Sequence, residues 1–455
     1  MLRTLANAWK IADLRKKILF TAIIVLIFRI GAAIPVPFVA AGANGIFSDS
    51  QMSGTFMEYL NMMTGNAFNY GTIFAMSITP YINSSIIVQL LTVAIPALER
   101  LAKDGEEGRK KIATITRYVT VGLALLQSTA YYFYLRGNNY LLMKDVGVFA
   151  DIFQALVIIL CFSAGCALIM WLGEQINDKG IGNGISIILF AGIVARIPSI
   201  IASLFDANGG YFSYGGAYSV LSVVVAICLI LMIAYIVWMD NAERRIPVQY
   251  AKRVVGRKMY GGQSTHIPIK VNMSGVMPII FASSILSLPP TINLFVGAKE
   301  GEGWYDHFFK FFSSSSWVYV ILYFLLIIFF AYFYASIQYN PIEMANNIRK
   351  NSGAIPGIRP GKPTSDYIQK ILSRITLLGA LLLSVVALFP LLFQLITSAC
   401  GKPMNVSLGG TSIIILVGVA IETVKQLESQ MMMRHYKGSV SYTHLRAHET
   451  LSDLV

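Results

Sequence analysis

Charge is what this sequence has least of. Charged residues make up 13% of the 455-residue chain, whereas soluble proteins carry about 25%. Hydrophobic residues make up 55% of the chain, and the mean hydropathy is +0.62. This composition excludes an ordinary soluble domain and indicates a protein that crosses a membrane several times.

Cysteine and histidine are scarce as well, with 4 and 5 copies. The cysteines lie in or beside apolar runs and lack metal-ligand spacing, so free thiols are expected, with no metal and no other cofactor. The apolar segments contain no HExxH motif, no paired carboxylates and no serine beside a base, which argues against an enzyme. The stretch GIGNGIS (180–186) follows no strand, so a flexible turn is favoured over a nucleotide site.

Ten apolar segments are each about 20 residues long, enough to cross the ~30 Å hydrocarbon core of a bilayer. They lie near 18–36, 73–95, 113–135, 149–171, 184–203, 217–239, 273–293, 316–336, 371–397 and 409–430. If the N-terminus is cytoplasmic, Lys and Arg number 27 on that side and 5 on the other. This positive-inside distribution predicts that both termini are in the cytosol. It also accounts for the net charge of +13 without nucleic acid as a ligand.

Three connecting stretches are unusual. The cytoplasmic loop 240–272 has alternating apolar and polar residues, which predict a basic hairpin with a Gly-Gly turn. The loop 338–370 carries the Pro/Gly-rich tip NSGAIPGIRPGKP. Both loops are either solvated topological anchors or a docking surface for a cytosolic machine. The apolar segment 53–65 is too short to cross, so it is either an interfacial helix or a re-entrant piece.

Small polar residues concentrate in the second and seventh segments, TPYINSSIIVQLL and NMSGVMPIIFASS. A proline is expected to interrupt each of these segments, Pro80 near the middle of the second and Pro278 in the seventh. Small polar residues ordinarily join neighbouring membrane helices. Their recurrence in the second segment of each half predicts two pseudo-symmetric five-helix halves, an inverted repeat with a pathway at the interface. A secondary transporter of a small solute is the alternative, but the segments lack the ionisable residues that ion coupling requires.

Pairs of large apolar residues share one helix face in three segments. Ile78 and Ile82 are four apart, Ile185 and Leu189 are four apart, and Met277 and Ile280 are three apart. A collar of such side chains would form an apolar constriction that excludes water and ions. The same spacing also fits side chains that face lipid or a neighbouring helix.

Several long motifs, in order, resemble the SecY family, the central subunit of the bacterial protein-conducting channel. They are TPYINSSIIVQLL, GIGNGISIILFAGIV, YAKRVVGRKMYGGQSTHIPIKVNMSGVMPIIFASS, GIRPGKPT and GGTSIIILV. The resemblance implies an all-α polytopic membrane protein, a clamshell of halves 1–203 and 217–438 with a hinge loop at 204–216. Unfolded polypeptide would cross through the centre, and transmembrane segments would leave laterally between the second and seventh helices.

The resemblance also implies roles for individual residues. The pore ring would comprise Ile78, Ile82, Ile185, Leu189, Met277, Ile280 and Ile415. The lateral gate would comprise Asn83, Ser84, Thr92, Gln127, Asn272, Ser283 and Ser284. The plug, within 53–65, would comprise Phe56, Met57, Tyr59, Leu60, Met62 and Met63. Docking of a cytosolic machine would use Arg244, Arg245, Arg253, Arg257, Lys258, Arg359 and Lys362.

The expected partners are the SecE and SecG subunits, the SecA motor ATPase, the ribosome, signal peptides, nascent or unfolded polypeptide and membrane lipid. The expected location is the bacterial cytoplasmic membrane. The sequence departs from the family after RHYKG, where SVSYTHLRAHETLSDLV (439–455) replaces a short basic tail. This stretch resembles translated vector sequence and is excluded from functional reasoning.

Overall fold

The structure is a computed structural model. It describes residues 8–40, 45–46, 61, 64–137, 140–142, 147–205, 212, 216–250, 253–255, 258–260, 264–296, 316–399 and 410–452. Twelve helices and five strands are assigned within these ranges.

The predicted apolar segments all coincide with helices. In chain order the helices are α1 Ala12–Gly31, α2 Thr79–Ala94, α3 Pro96–Lys103, α4 Gly105–Gly137, α5 Val148–Lys179, α6 Gly184–Phe205, α7 Ala217–Asn241, α8 Met277–Val296, α9 Trp317–Gln338, α10 Pro341–Lys350, α11 Lys362–Ala399 and α12 Gly410–Ser452. Among the described residues, six helices are long and apolar enough to cross a membrane by themselves, and seven if α2 and α3 form one bent span. The chain is thus a multi-pass, mainly helical membrane protein.

In the second and seventh apolar segments a proline lies at the start of the helix, whereas Pro198 and Pro390 lie inside α6 and α11. Pro80 lies in the first turn of α2, and Pro278 is the second residue of α8. A proline at this position loses no intrahelical hydrogen bond, because the first N–H groups of a helix have no partner. The expectation that Pro80 breaks the middle of the second segment is therefore wrong. Residues 66–78, which precede α2, are turns.

The turn at Ile95 redirects the chain sharply. Helix α2 ends at Ala94, Pro96 starts α3, and the two helices meet at an angle of 107°. The bend follows from the extended backbone of Ile95 (ψ 114°), the conformation favoured before proline. Helix α3 is short and amphipathic, in contrast to the apolar helix that precedes it.

The two long loops form one folded unit. Strand β1 (Glu243–Tyr250) pairs antiparallel with β4 (Ser264–Lys270) on one side and with β5 (Gly353–Ala354) on the other. Ile246 and Val248 of β1 are buried. They pack in a cluster with Ile348 of α10 and Ile368 of α11. The loops at 240–272 and 338–370 were predicted separately, but the structure joins them through a three-stranded sheet and a shared core.

Two short strands lie in the basic segment that was predicted as a hairpin. Strands β2 (Arg253–Val255) and β3 (Lys258–Tyr260) pair antiparallel, with Val255 opposite Lys258. The predicted Gly-Gly turn, Gly261 and Gly262, lies outside the described residues.

Separate apolar cores stabilise the two halves. In the N-terminal half, Phe28 of α1, Ile169 of α5 and Ile188 of α6 are fully buried in one cluster. A second cluster joins α4 and α5. In the C-terminal half, α7, α8, α9, α11 and α12 share one large cluster, which also takes in Ile86 of α2. Most helices of each half thus pack in clusters of their own, and α2 and α12 also contribute side chains to clusters of the other half.

The GIGNGIS stretch is a tightly packed turn. The Asn183 side chain accepts hydrogen bonds from the backbone N–H of Ile185 and Ser186, at 3.1 and 3.4 Å, and so caps the start of α6. Gly184 N–H donates to Asn177 Oδ1 at 2.7 Å. Ile181 is 3% exposed. These contacts contradict the expectation of a flexible turn, and the capped helix start leaves no free N–H cradle for a phosphate at these residues.

Candidate functional site

Four of the predicted ring residues converge on one small apolar cluster. Leu189 of α6 and Ile415 of α12 are buried in it, together with Ile193. Ile82 of α2 and Ile185 of α6 are partly buried against the same cluster. Three helices thus contribute to one apolar contact point, and α12 belongs to the opposite half of the chain from α2 and α6.

The other three predicted ring residues lie in the adjoining clusters. Ile78 is 1% exposed and belongs to the core of the N-terminal half. Ile280 and Met277, both on α8, pack in the large cluster of the C-terminal half. Ile82 touches all three clusters. Ile82 therefore links the three clusters that contain the seven predicted ring residues. The seven do not all belong to one cluster among the described residues.

Sequence reasoning missed part of this apolar contact point. Ile193, Val276 and Val419 also contribute to it. Ile193 is four residues after Leu189, and Val419 is four residues after Ile415, so each continues a helix face that was already identified. Val276 lies just before the start of α8, so helical spacing could not identify it.

Among the predicted gate residues, Ser84 bonds within its own half. Its Oγ lies 3.2 Å from the carbonyl oxygen of Thr116 and 2.5 Å from Oγ1 of Thr120, both on α4. Ser84 is 0% exposed. These contacts assign it to the packing of α2 on α4, the ordinary role of small polar residues in membrane helices.

The other gate residues are dispersed. Thr92 and Ser283 each donate to a carbonyl of their own helix, Gln89 O at 2.6 Å and Ile280 O at 3.0 Å. Asn83, Gln127 and Ser284 are half-buried. The hydroxyls of Ser84, Thr92 and Ser283 therefore bond within one half of the chain.

Asn272, like Ser84, is a buried member of the predicted gate set. It is 8% exposed, and its Oδ1 is buried without a hydrogen-bond partner among the described residues. The neighbouring Val271 carbonyl oxygen would lie 2.4 Å from a side-chain carbon added at Gly379, so this strand end lies directly against α11. A buried amide oxygen without a donor costs about 1–3 kcal/mol.

Apolar side chains of α2 share a cluster with α8. Ile86 of α2 is 8% exposed and lies in the same cluster as Ile279, Ala282 and Leu286 of α8. Leu90, one turn further along α2, packs against that cluster. Helix α4 also contacts α8. We call the region where α2 and α8 share this cluster the seam, and the side chains that α2 brings to it are aliphatic.

All six predicted plug residues lie outside the described residues, but the end of their segment is described. Asn66 N–H donates to Asn61 O at 3.0 Å, and Gly65 has a φ of +63°. This pattern is a Schellman motif, which terminates a helix at a glycine. A Cβ at Gly65 would lie 2.6 Å from Nη1 of Arg29 and 2.9 Å from Gly192 O, so only glycine fits.

The docking residues are partly described. Arg244 and Arg245 of β1 are exposed, and Arg245 pairs with Glu243 at 2.7 Å. Arg253 and Lys258 lie in β2 and β3. Arg257 lies outside the described residues.

Arg359 and Lys362 are both exposed on the folded unit. The Thr364 hydroxyl donates to Arg359 O at 2.9 Å, and the Thr364 N–H donates to Gly361 O at 3.1 Å. Gly357 and Gly361 adopt positive φ values of +79° and +110°. The backbone of this tip is therefore fixed, and it presents the Arg359 guanidinium to solvent.

One ion pair inside the helical region was not anticipated. Arg117 Nε of α4 lies 2.7 Å from Glu174 Oε1 of α5. Both side chains are partly exposed, 49% and 26%. The pair joins two helices of the N-terminal half.

Comparison with known proteins identifies the family. The SecY family model matches residues 72–424. The protein translocase subunit SecY of Mycobacterium bovis is 44% identical over 454 residues, which cover 96% of this chain and 99% of that protein. The corresponding subunit of Streptomyces galbus is 43% identical over 457 residues, with 96% and 99% coverage.

Solved structures agree on the fold. A structure described as a protein-conducting channel matches with a TM-score of 0.60 at 17% identity and covers 92% of both chains. Sec61 in a canine ribosome–channel complex matches with a TM-score of 0.57 at 15% identity, also over 92% of both chains. The chain therefore belongs to the SecY family, and it is a protein-conducting channel subunit and not an enzyme.

Proposed function

We propose that the apolar contact point of Ile82, Ile185, Leu189 and Ile415 is the constriction of the channel. The observation that carries this proposal is that both halves contribute to one dry aliphatic cluster. Aliphatic side chains offer no hydrogen bonds to water or ions, so a narrow collar of them dewets and blocks conduction. The same property lets an unfolded chain of any sequence pass, because no specific bond must be broken.

The apolar seam between α2 and α8 suits lateral release. Lipid tails are as apolar as leucine, so no hydrophobic driving force holds two aliphatic helix faces together inside a bilayer. An apolar signal sequence that enters between Ile86 and the α8 cluster replaces one set of dispersion contacts with another. The seam therefore opens at small cost and recloses without leaving charges unpaired. The predicted polar gate residues other than Ser84 would act beside this apolar seam.

The Gly65 turn supports a plug whose C-terminal end is fixed. The segment 53–65 would close the outer side, with its final turn held against α1 and α6 through Arg29 and Gly192. Phe68 O accepts a hydrogen bond from the Tyr131 hydroxyl at 2.8 Å, which ties the following residues to α4. Any displacement of the plug would thus be confined to residues before this turn.

The exposed arginines suggest where cytosolic partners bind. Arg244, Arg245 and Arg359 project from one folded unit whose backbone is held by a sheet and by capped turns. Guanidinium groups on a rigid surface suit carboxylate-rich or phosphate-rich partners. The SecA motor and the ribosome fit this description, SecE and SecG would be the small membrane subunits, and the location is the cytoplasmic membrane with both termini in the cytosol.

A disulfide across the seam tests the proposal. In a chain whose native cysteines are replaced by alanine, Ile86→Cys is combined with Ile279→Cys, Ala282→Cys or Leu286→Cys, and the pair that oxidises most completely is used. We expect oxidation to reduce SecA-driven passage of a preprotein into vesicles at least tenfold, and a reductant to restore it. Full passage through the oxidised channel would contradict the proposal. Solute uptake that proceeds without preprotein passage would favour the transporter alternative.

A further inference from the structure

The two halves contact each other at a second place, far from the 204–216 connection. A small cluster contains Ala8, Leu14, Ile181 and Leu427, which are 0%, 2%, 3% and 2% exposed. Leu14 on α1 and Ile181 in the GIGNGIS turn belong to the N-terminal half. Leu427 on α12 belongs to the C-terminal half. We call this cluster the N-terminal clasp.

Hydrogen bonds fix the N-terminal side of the clasp. Ile181 N–H donates to the Thr21 hydroxyl of α1 at 3.2 Å, and that hydroxyl lies 3.0 Å from Lys17 O. Gly182 has a φ of +82°, and a Cβ there would lie 3.3 Å from Oγ1 of Thr423 on α12. The turn between α5 and α6 is thus wedged between α1 and α12.

A matching contact lies at the other end of α6. Ile200 and Leu204 of α6 pack with Val225 of α7, and Phe393 of α11 packs against them. Ile181 lies just before α6, and Ile200 lies in the last two turns of that helix. The 16 positions from Gly184 to Ile200 correspond to about 24 Å along a helix, most of the ~30 Å thickness of a bilayer core. The two contacts therefore lie at opposite ends of α6.

We propose that the N-terminal clasp is the second pivot of the channel, and that Leu14 and Leu427 are the positioning residues that hold it. This inference rests on the proposed function. A single covalent connection between two rigid bodies permits them to twist as well as to open. Two fixed contacts define one axis, so the remaining motion is a rotation that parts the seam between α2 and α8.

The axis has a consequence for the constriction. Helix α12 contacts α6 between the two pivots, through Ile415 and Leu189. Side chains on the axis keep their separation during rotation, whereas those far from it separate. The constriction therefore opens on the side of Ile82 and Ile280, and the contact between Leu189 and Ile415 persists.

Crosslinking distinguishes a pivot from an ordinary contact. Leu14→Cys with Leu427→Cys, and Ile181→Cys with Leu427→Cys, are placed in the cysteine-free chain and oxidised or linked with a short bismaleimide. We expect preprotein passage within twofold of the reduced chain, because a link on the axis does not oppose rotation. The matched control is the seam disulfide, which is expected to reduce passage at least tenfold.

The outcomes separate the clasp from the proposed function. If a clasp link lowers preprotein passage tenfold, and reductant restores passage in the disulfide-linked chain, the pivot proposal is overturned. The gate proposal still stands in that case if the seam disulfide also blocks passage. Failure of both clasp pairs to link also overturns it, because a permanent contact keeps the two positions within reach. Passage through a chain with a closed seam link contradicts the gate instead, whatever the clasp result.

Discussion

Replacement of Ile82 by asparagine is the most direct test of the apolar constriction. Ile82 is the side chain that touches the cores of both halves and the cluster between them. In the closed channel, Ile82→Asn loses aliphatic burial of about 1–2 kcal/mol for a half-buried side chain. It also introduces an amide that lacks partners among these aliphatic neighbours, at a further cost of about 1–2 kcal/mol.

The open channel does not incur these costs, because position 82 then faces water or a passing chain. The closed state thus loses about 2–4 kcal/mol relative to the open one, and each 1.4 kcal/mol is a factor of ten. The fraction of resting channels that conduct should rise roughly 30- to 700-fold if the constriction alone keeps them shut. A second barrier on the outer side, such as the plug, would reduce this gain.

The assay is ion conductance across a planar bilayer without any preprotein, together with export of a preprotein whose signal sequence is defective. Ile87→Asn is the matched control, because Ile87 lies on the same helix and is 40% exposed. We expect conductance and defective-signal export to rise for Ile82→Asn and to be unchanged for Ile87→Asn. Equal behaviour of the two variants would refute the assignment of Ile82 to the constriction.

Two other variants test the flanking assignments. Arg359→Glu should lower SecA-driven preprotein passage at least tenfold while the amount of membrane-inserted channel is unchanged, because it reverses an exposed charge on a fixed turn. Lys350→Glu is the control, since Lys350 is also exposed in the same folded unit. Equal loss of passage in both variants would contradict docking at Arg359. Ser84→Ala should lower the thermal stability of the detergent-solubilised protein modestly, by the ~0.6 kcal/mol typical of membrane hydrogen bonds, without changing signal-sequence selectivity; altered selectivity would return Ser84 to the gate.

The helices could be predicted because hydropathy is a local property. A bilayer core requires about 20 apolar residues per crossing, and each such segment did form a helix. The face-sharing pairs Ile185/Leu189 and Ile78/Ile82 were also found from spacing alone. Spacing identifies a face but not its partner. For this reason the sequence could not show that Ile78 is confined to the core of the N-terminal half, whereas Ile82 also reaches the other two clusters.

The errors came from features that depend on distant residues. Pro80 was expected to break a helix, because the sequence does not show that residues 66–78 form turns and that the helix starts at Thr79. The Ser84 hydroxyl has its partners on α4, more than thirty residues away in the chain. The pairing of β1 with β5 joins two loops that are separated by helices α8 and α9, and neither loop alone carries a signal for it.

The connection between the basic sheet and α8 has a mechanical consequence. Strand β4 ends at Lys270, and the Val271 N–H donates to Ala242 O at 2.9 Å. Val276, six positions after Lys270, packs against the cluster proposed as the constriction. Force applied to the sheet by a bound motor would thus reach the proposed constriction through a linker of only six residues.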